Sequence, residues 1–96
     1  MLMGKVVGTV VSTRKDEKLG GLRFLVVREL DENMRETGKM VVAADSVQAG
    51  VGEVVLYATG SAARQTEFSH ERPVDAIIMA IVDELEVGGE KLYVKD

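Results

Sequence analysis

The sequence holds few of the residues that catalysis requires. It has no cysteine, and its single histidine, His70, lies in a polar stretch between Phe68 and Arg72. The members of a serine–histidine–acid set are present, namely Ser61 or Ser69, His70 and Asp75. Such sets are defined by geometry and not by inventory, and a lone histidine in a polar loop is typical of a solvated residue. We therefore predict no catalytic residue, and no metal site, because structural zinc needs several cysteine or histidine ligands.

Four acidic residues adjoin apolar stretches: Asp45, Glu53, Asp75 and Asp83. A paired-carboxylate site would need two of them at a defined separation. Short carboxylates more commonly accept backbone hydrogen bonds in turns. We interpret these residues as turn-capping groups or as ion-pair partners of Arg64.

The stretch from Gly60 to Arg64 has some features of an anion site. A glycine before a helical turn presents free N–H groups, and an arginine adds positive charge. Neither the P-loop pattern nor the Gly-x-Gly-x-x-Gly pattern is present, however. The sequence therefore predicts no cofactor.

The overall charge argues against a nucleic-acid partner. The formal net charge is −4 and the isoelectric point is near 5.0, whereas binding a phosphate backbone needs a basic surface. The chain has four aromatic residues and no tryptophan. No signal peptide is evident, and no apolar run approaches the roughly 20 residues that span a bilayer. We expect no membrane association and a cytoplasmic location.

Short valine-rich runs separated by glycine or charged residues predict strands. The predicted strands cover residues 5–13, 22–30, 39–44, 53–59, 77–87 and 91–94. Gly88 and Gly89 predict a tight hairpin turn. Residues 61–65 predict one short helical turn with Ser61 as its N-cap.

With 96 residues, the chain has the length of one domain, residues 1–96. We predict a mainly all-β fold, a small five-stranded Greek-key barrel of the oligonucleotide/oligosaccharide-binding (OB) type. One helical turn and a C-terminal hairpin complete it, and an open sandwich is the alternative.

Several predicted strands are apolar on both faces, as in Val6-Val7, Val10-Val11 and residues 77–82. A one-sided strand should instead alternate apolar and polar residues. The outward apolar side chains would expose larger patches than monomers usually tolerate, which predicts that other subunits cover them. The alternative is that the pairs mark bulges or are covered by short segments of the same chain.

Five segments in this order resemble the vertex proteins of bacterial microcompartments, as in carboxysomes and ethanolamine-utilisation compartments. They are residues 4–13, 19–27, 45–55, 60–64 and 73–83. The loop from Thr66 to Arg72 and the tail after Val87 follow no pattern of that family.

The resemblance implies a structural, non-enzymatic homopentamer that caps the fivefold vertices of a shell, giving curvature and sealing it beside hexameric shell proteins. For the ring contacts we predict two segments that are rich in glycine and other small residues: Asp45, Ala49, Gly50, Gly52 and Glu53, and Gly60, Ser61, Ala62, Ala63 and Arg64. Arg64 would form an ion pair either between subunits or within one. The competing hypothesis is a small OB-type binding module for single-stranded nucleic acid or a metabolite.

Overall fold

Seven strands and one helical turn make up the computed structural model, which describes residues 1–12, 17–66 and 74–96. The strands are β1 (Leu2–Val10), β2 (Phe24–Leu30), β3 (Glu36–Asp45), β4 (Val54–Thr59), β5 (Ala76–Ile81), β6 (Glu84–Val87) and β7 (Glu90–Val94). A 3₁₀ turn, Glu17–Leu19, precedes β2, and a helical turn, α1 (Gly60–Ala63), follows β4. His70, Ser69 and most of the predicted loop from Thr66 to Arg72 lie outside the described residues.

The first five strands close into a barrel in the order β1-β2-β3-β5-β4, and β1 pairs with β4 to complete the circle. The neighbouring strands are antiparallel except β3 and β5, which run parallel. This arrangement confirms the predicted five-stranded OB-like barrel. The contact between β3 and β5 is short, with only Ala44 and Asp45 of β3 paired to Ile77 and Ile78, so most of the second edge of β3 has no strand partner among the described residues.

The barrel interior is filled by branched aliphatic side chains that alternate with outward-facing residues along each strand. Val6, Leu25, Val27, Val55 and Ile78 are fully buried there. Burying a side chain of this size is worth about 1.5–3 kcal/mol. The interior is therefore the main source of stability within one chain.

A second buried cluster lies outside the barrel wall, beneath α1. Ile77 is its centre, and Ala58, Ala63 and Val74 surround it. The chain itself thus covers the outward face of β5 at Ile77, where we had predicted a neighbouring subunit. The pair Val6-Val7 is explained by a bulge, the alternative given above, because Val7 occupies a β-bulge between Val6 and Gly8.

The predicted strand over residues 77–87 is wrong, because the chain leaves the barrel at Val82 and Asp83. The N–H of Val82 donates to the carbonyl of Val54, 2.8 Å away, which is the last backbone bond to β4. Beyond it, β6 pairs with β7 in a separate two-stranded sheet. We call residues 84–94 the C-terminal hairpin.

The turn of the C-terminal hairpin confirms the prediction from its two glycines. Gly88 and Gly89 have φ of 61° and 82°, and the residues on either side, Val87 and Glu90, pair directly. Positive φ at both central residues defines a type I′ turn, which suits the twist of a hairpin. Within the described ranges, no helix has the length and hydropathy needed to cross a membrane.

Candidate subunit interface

The first predicted contact segment, residues 45–53, is a connector held in place by the buried carboxylate of Asp45. This side chain is 1% exposed, and its Oδ2 accepts hydrogen bonds from the N–H of Ala49 at 3.0 Å and from Arg23 Nη1 at 3.1 Å. Its Oδ1 accepts from the N–H of Val47 at 3.1 Å. Arg23 Nη1 also donates to the Ala49 carbonyl at 3.0 Å. Asp45 is thus a turn-capping group, as predicted.

The second half of this connector is tied to β1. The N–H of Gly52 donates to the Val6 carbonyl at 2.7 Å, and the N–H of Val6 donates to the Glu53 carbonyl at 2.9 Å. Gly52 has φ of 94°, which a residue with a Cβ adopts only under strain. The backbone of the connector is therefore fixed before any neighbour is added.

Glu53 joins this connector to the end of the C-terminal hairpin. One carboxylate oxygen accepts from the N–H of Gly50 at 2.5 Å, and the other lies 2.6 Å from Lys95 Nζ. The hydrogen bond from Lys95, and then that from Gly50, lowers the pKa of Glu53 from its usual value of 4.5. The same bond to Glu53 raises the pKa of Lys95. Both side chains remain partly exposed, so solvent screens the pair.

The second predicted contact segment contains α1. The helical turn begins at Gly60, and its N-cap is Thr59, whose side chain makes no capping hydrogen bond. The prediction of Ser61 as the N-cap is therefore wrong, because the positive φ of Gly60 starts the turn one residue earlier. Gly60, Ser61 and Ala62 are exposed, whereas Ala63 is buried in the second cluster.

Arg64 forms an ion pair within its own chain. Its Nη1 lies 3.1 Å from Asp75 Oδ1 and donates to the Val74 carbonyl at 3.4 Å. The carboxylate of Asp75 is 94% exposed. Of the two alternatives for Arg64, the pair within one subunit is the one present in the single chain.

The structure does not bring the two predicted contact segments together. They flank β4, one before Val54 and the other after Thr59. Six residues of extended chain separate them by about 20 Å. They therefore lie toward opposite ends of the barrel wall, and their part in a ring stays a prediction.

A different surface is more apolar and had no residue in the predicted contact set. On the outer face of β1, β2 and β3, strand pairing places Gly8 beside Val26 and Val26 beside Val42. On the same face, Val10 lies two residues along β1 and pairs with Phe24, whereas Met40 lies two residues along β3 and pairs with Arg28. We call Val10, Val26, Met40 and Val42 the outer patch, which the ion pair of Arg28 with Glu36 borders. Adjacent apolar residues in the sequence were the signal for it, since Val10 precedes Val11 and Val26 lies between Leu25 and Val27.

The described aromatic residues are not arranged for stacking bases. Tyr57 is buried in the barrel, and this burial raises the pKa of its hydroxyl. Phe24 packs against the second cluster, and Tyr93 lies on the C-terminal hairpin. Binding of single-stranded nucleic acid uses exposed aromatic platforms in a basic groove. The described part of the barrel surface has no such platform.

Candidate metal ligands do not cluster either. Within residues 1–12, 17–66 and 74–96, no three histidine, aspartate or glutamate side chains lie close enough to hold a metal ion. Asp45, Glu53 and Asp75 each have a different partner. Each of these three carboxylates thus serves an ion pair, and Asp45 also caps a turn.

Comparison with known proteins gives matches along almost the whole chain. The chain is 44% identical over 95 residues to the carboxysome shell vertex protein CcmL of Gloeobacter violaceus, covering 99% of this chain and 95% of the relative. The solved structure of that protein matches with a TM-score of 0.94 over 99% of this chain and 98% of the other.

Two further relatives are named as bacterial microcompartment shell vertex proteins. The shell vertex protein GrpN of Rhodospirillum rubrum is 45% identical over 86 residues, covering 90% of this chain and 97% of its own. Its solved structure, described as a pentameric microcompartment shell protein, matches with a TM-score of 0.82 over 91% of this chain and all of the other. The shell vertex protein EutN of Salmonella typhimurium is 38% identical, covering 99% of this chain and 95% of its own.

The family model described as ethanolamine utilisation protein EutN/carboxysome matches residues 1–83, which include every strand of the barrel. With the barrel order, the C-terminal hairpin and these relatives in agreement, the chain belongs to the EutN/CcmL family of microcompartment shell vertex proteins.

Proposed function

We propose that five copies of this chain form a closed ring that caps the fivefold vertices of a bacterial microcompartment shell. The observation that carries the proposal is the near full-length likeness to named shell vertex proteins, together with the described pentameric state of GrpN. The outer patch supports it, because apolar surface of this kind marks contact sites in soluble proteins.

The role of such a ring is geometric. Head-to-tail contacts whose rotation closes after five copies produce a ring with one fivefold axis. Placed at a corner of a shell tiled by hexameric proteins, it introduces curvature and seals the corner. The ring would reside in the microcompartment shell within the bacterial cytoplasm, and each subunit would be one domain without catalytic activity or a cofactor.

The proposal is tested by shell assembly. Hexameric shell proteins of one compartment are produced with and without this chain, together with a fluorescent cargo protein. We expect closed polyhedral shells that retain the cargo only when the chain is present. Equal closure and cargo retention without the chain would contradict the vertex role.

A second experiment tests the competing hypothesis of a binding module. A fluorescently labelled oligonucleotide is added to the purified chain, and binding that weakens as salt is raised would favour the binding module instead.

A further inference from the structure

The C-terminal hairpin is joined to the barrel by a narrow root. Its two strands pair with each other in a separate sheet, and neither packs extensively on a barrel strand. From Asp83 to Asp96 no residue is fully buried, and only Leu85, Leu92 and Tyr93 are half-buried. The angle between the hairpin and the barrel is therefore set by the few contacts at the root.

Two backbone hydrogen bonds form this root, which comprises Val82, Asp83 and Lys95. The N–H of Val82 donates to the Val54 carbonyl at 2.8 Å and ties the chain to β4 just before it leaves the barrel. The N–H of Lys95 donates to the Asp83 carbonyl at 2.8 Å, which closes the base of the hairpin without touching the barrel. An element with few buried contacts and one backbone bond to its support is free to swing as a unit.

The side chain of Lys95 supplies a second point of attachment. Its Nζ lies 2.6 Å from Glu53 Oε2, at the end of the connector that precedes β4. No other ion pair between residues of the described ranges joins residues 84–96 to the barrel. Two separate points of attachment, one at Val82 and one at Lys95, restrict the swing that one point alone permits.

Glu53 is a rigid anchor for this second point. Its other carboxylate oxygen accepts from the N–H of Gly50 at 2.5 Å, and its carbonyl accepts from the N–H of Val6 at 2.9 Å. Val6 is fully buried in the barrel interior. The carboxylate is thus fixed to the core of the barrel, so that Lys95 transmits this fixed position to the root of the hairpin.

A second lysine on the hairpin forms an ion pair that does not involve the barrel. Lys91 Nζ lies 2.9 Å from Glu84 Oε1, and both residues belong to the hairpin itself. These two side chains are 57% and 51% exposed, whereas those of Lys95 and Glu53 are 35% and 22% exposed. Exposed ion pairs contribute little to stability. The two pairs therefore differ mainly in what they join, which makes Lys91 a matched control for Lys95.

We propose that the ion pair of Lys95 with Glu53 is a latch that holds the C-terminal hairpin at one angle to the barrel and thereby fixes how many copies close the ring. The inference rests on the proposed ring and adds what determines its size. The hairpin projects from the barrel, so its angle is part of the shape that neighbouring copies present. The rotation between neighbours is about 72° for five copies and about 60° for six, so a small change in shape alters the number that closes. Lys95 acts as a positioning residue.

The angle of the hairpin is measured with spin labels, which the absence of cysteine permits. Glu90→Cys places one label at the hairpin turn, and Asn33→Cys places the other in the turn between β2 and β3. Both positions are exposed. The labelled chain is refolded with an excess of unlabelled chain, so that double electron–electron resonance reports distances within one chain. The native mass of each sample is recorded as well.

Four variants are compared with the unchanged background. Lys95→Met keeps the length of the side chain but removes its charge and its donor, and Lys95→Arg keeps both. Glu53→Gln loses the charge but retains an oxygen for the N–H of Gly50. Lys91→Met makes the same change as Lys95→Met in the pair that lies within the hairpin.

We expect one narrow distance distribution, and rings of about five copies, in the background, in Lys95→Arg and in Lys91→Met. In Lys95→Met and Glu53→Gln the distribution should be at least twofold broader, with rings of more than one size. An unchanged distribution in Lys95→Met, equal broadening in Lys91→Met, or a single ring size despite the broadening would overturn the latch and leave the vertex function standing. A monomeric background would overturn the ring and the latch together.

Discussion

Gly4 and Gly8 lie on the same strand but in two regions of the molecule that differ in how tightly they are packed. A Cβ on Gly4 would meet the side chain of Val27, the Arg28 carbonyl at 2.8 Å and the Tyr57 ring at 3.0 Å. A Cβ on Gly8 would meet only Val26, at 3.9 Å. The barrel interior is thus complete within one chain, whereas apolar side chains of the outer patch and of the C-terminal hairpin stay exposed in it.

The largest effect should come from filling the space at Gly4. Gly4→Ala forces atoms of the packed interior apart, so we expect a loss of about 3 kcal/mol in the free energy of unfolding. Gly8→Ala is the matched control and should change it by less than about 1 kcal/mol. Urea unfolding at one fixed protein concentration measures both, since association contributes to stability. Equal losses of unfolding free energy at Gly4 and Gly8 would mean that the two positions are packed equally tightly, against this account.

A smaller effect is expected at Asp45. It and Asp75 each pair with an arginine at 3.1 Å, but Asp45 is 1% exposed and Asp75 is 94% exposed. Asp45→Ala leaves the buried N–H of Ala49 and the partly buried N–H of Val47 without an acceptor, which should cost about 2–3 kcal/mol. Asp75→Ala should cost less than about 1 kcal/mol, because exposed pairs contribute little. Thermal unfolding of the two variants side by side checks this, and a larger loss at Asp75 would refute it.

A charge in the outer patch should affect assembly and spare the fold. In Val42→Asp, ring closure would bury an unpaired carboxylate five times, which costs several kcal/mol per ion. Asn33→Asp adds the same charge in the exposed turn between β2 and β3 and serves as the control. We expect analytical ultracentrifugation to show smaller species for Val42→Asp alone, with far-UV circular dichroism unchanged. An intact ring in Val42→Asp would argue against contact at the outer patch.

The smallest effect concerns the pair between Glu53 and Lys95. The pKa of Glu53 is lowered, so its stabilising contribution is present above its usual pKa of 4.5 and is lost as pH falls through the folded value. The pKa of Lys95 is raised, so its contribution is present below 10.5 and is lost as pH rises through the folded value. The difference in melting temperature between the chain and Lys95→Gln should therefore be largest near neutral pH and disappear in acid. A difference that persists in strong acid would show that the ion pair is not its source.

Local features of the fold could be predicted from the sequence. The barrel strands follow from runs of valine, the type I′ turn follows from Gly88-Gly89, and the capping role of Asp45 follows from its place before a connector. Each depends on residues that are close in the chain. The break at Val82 and Asp83 was missed, because residues 77–82 are all apolar and residues 84–87 alternate charged and apolar side chains, so that both stretches are typical of a strand. Only the pairing of β6 with β7 separates them.

The candidate contact surface was harder to predict for the same reason. Glycines and small residues drew the prediction to residues 45–53 and 60–64, but β4 separates these segments. The outer patch depends on the pairing of three strands, which brings Val10, Val26 and Val42 together from distant parts of the sequence. Such a surface appears only when the register between strands is known.

The central claim, that this chain closes into a ring of five, is tested most directly by its native mass. One chain is 10.4 kDa, so five copies give about 52 kDa. Native mass spectrometry over a range of protein concentrations should show a dominant species at that mass. A single species at 10.4 kDa at every concentration would contradict the ring and leave the apolar outer patch and the C-terminal hairpin without a partner.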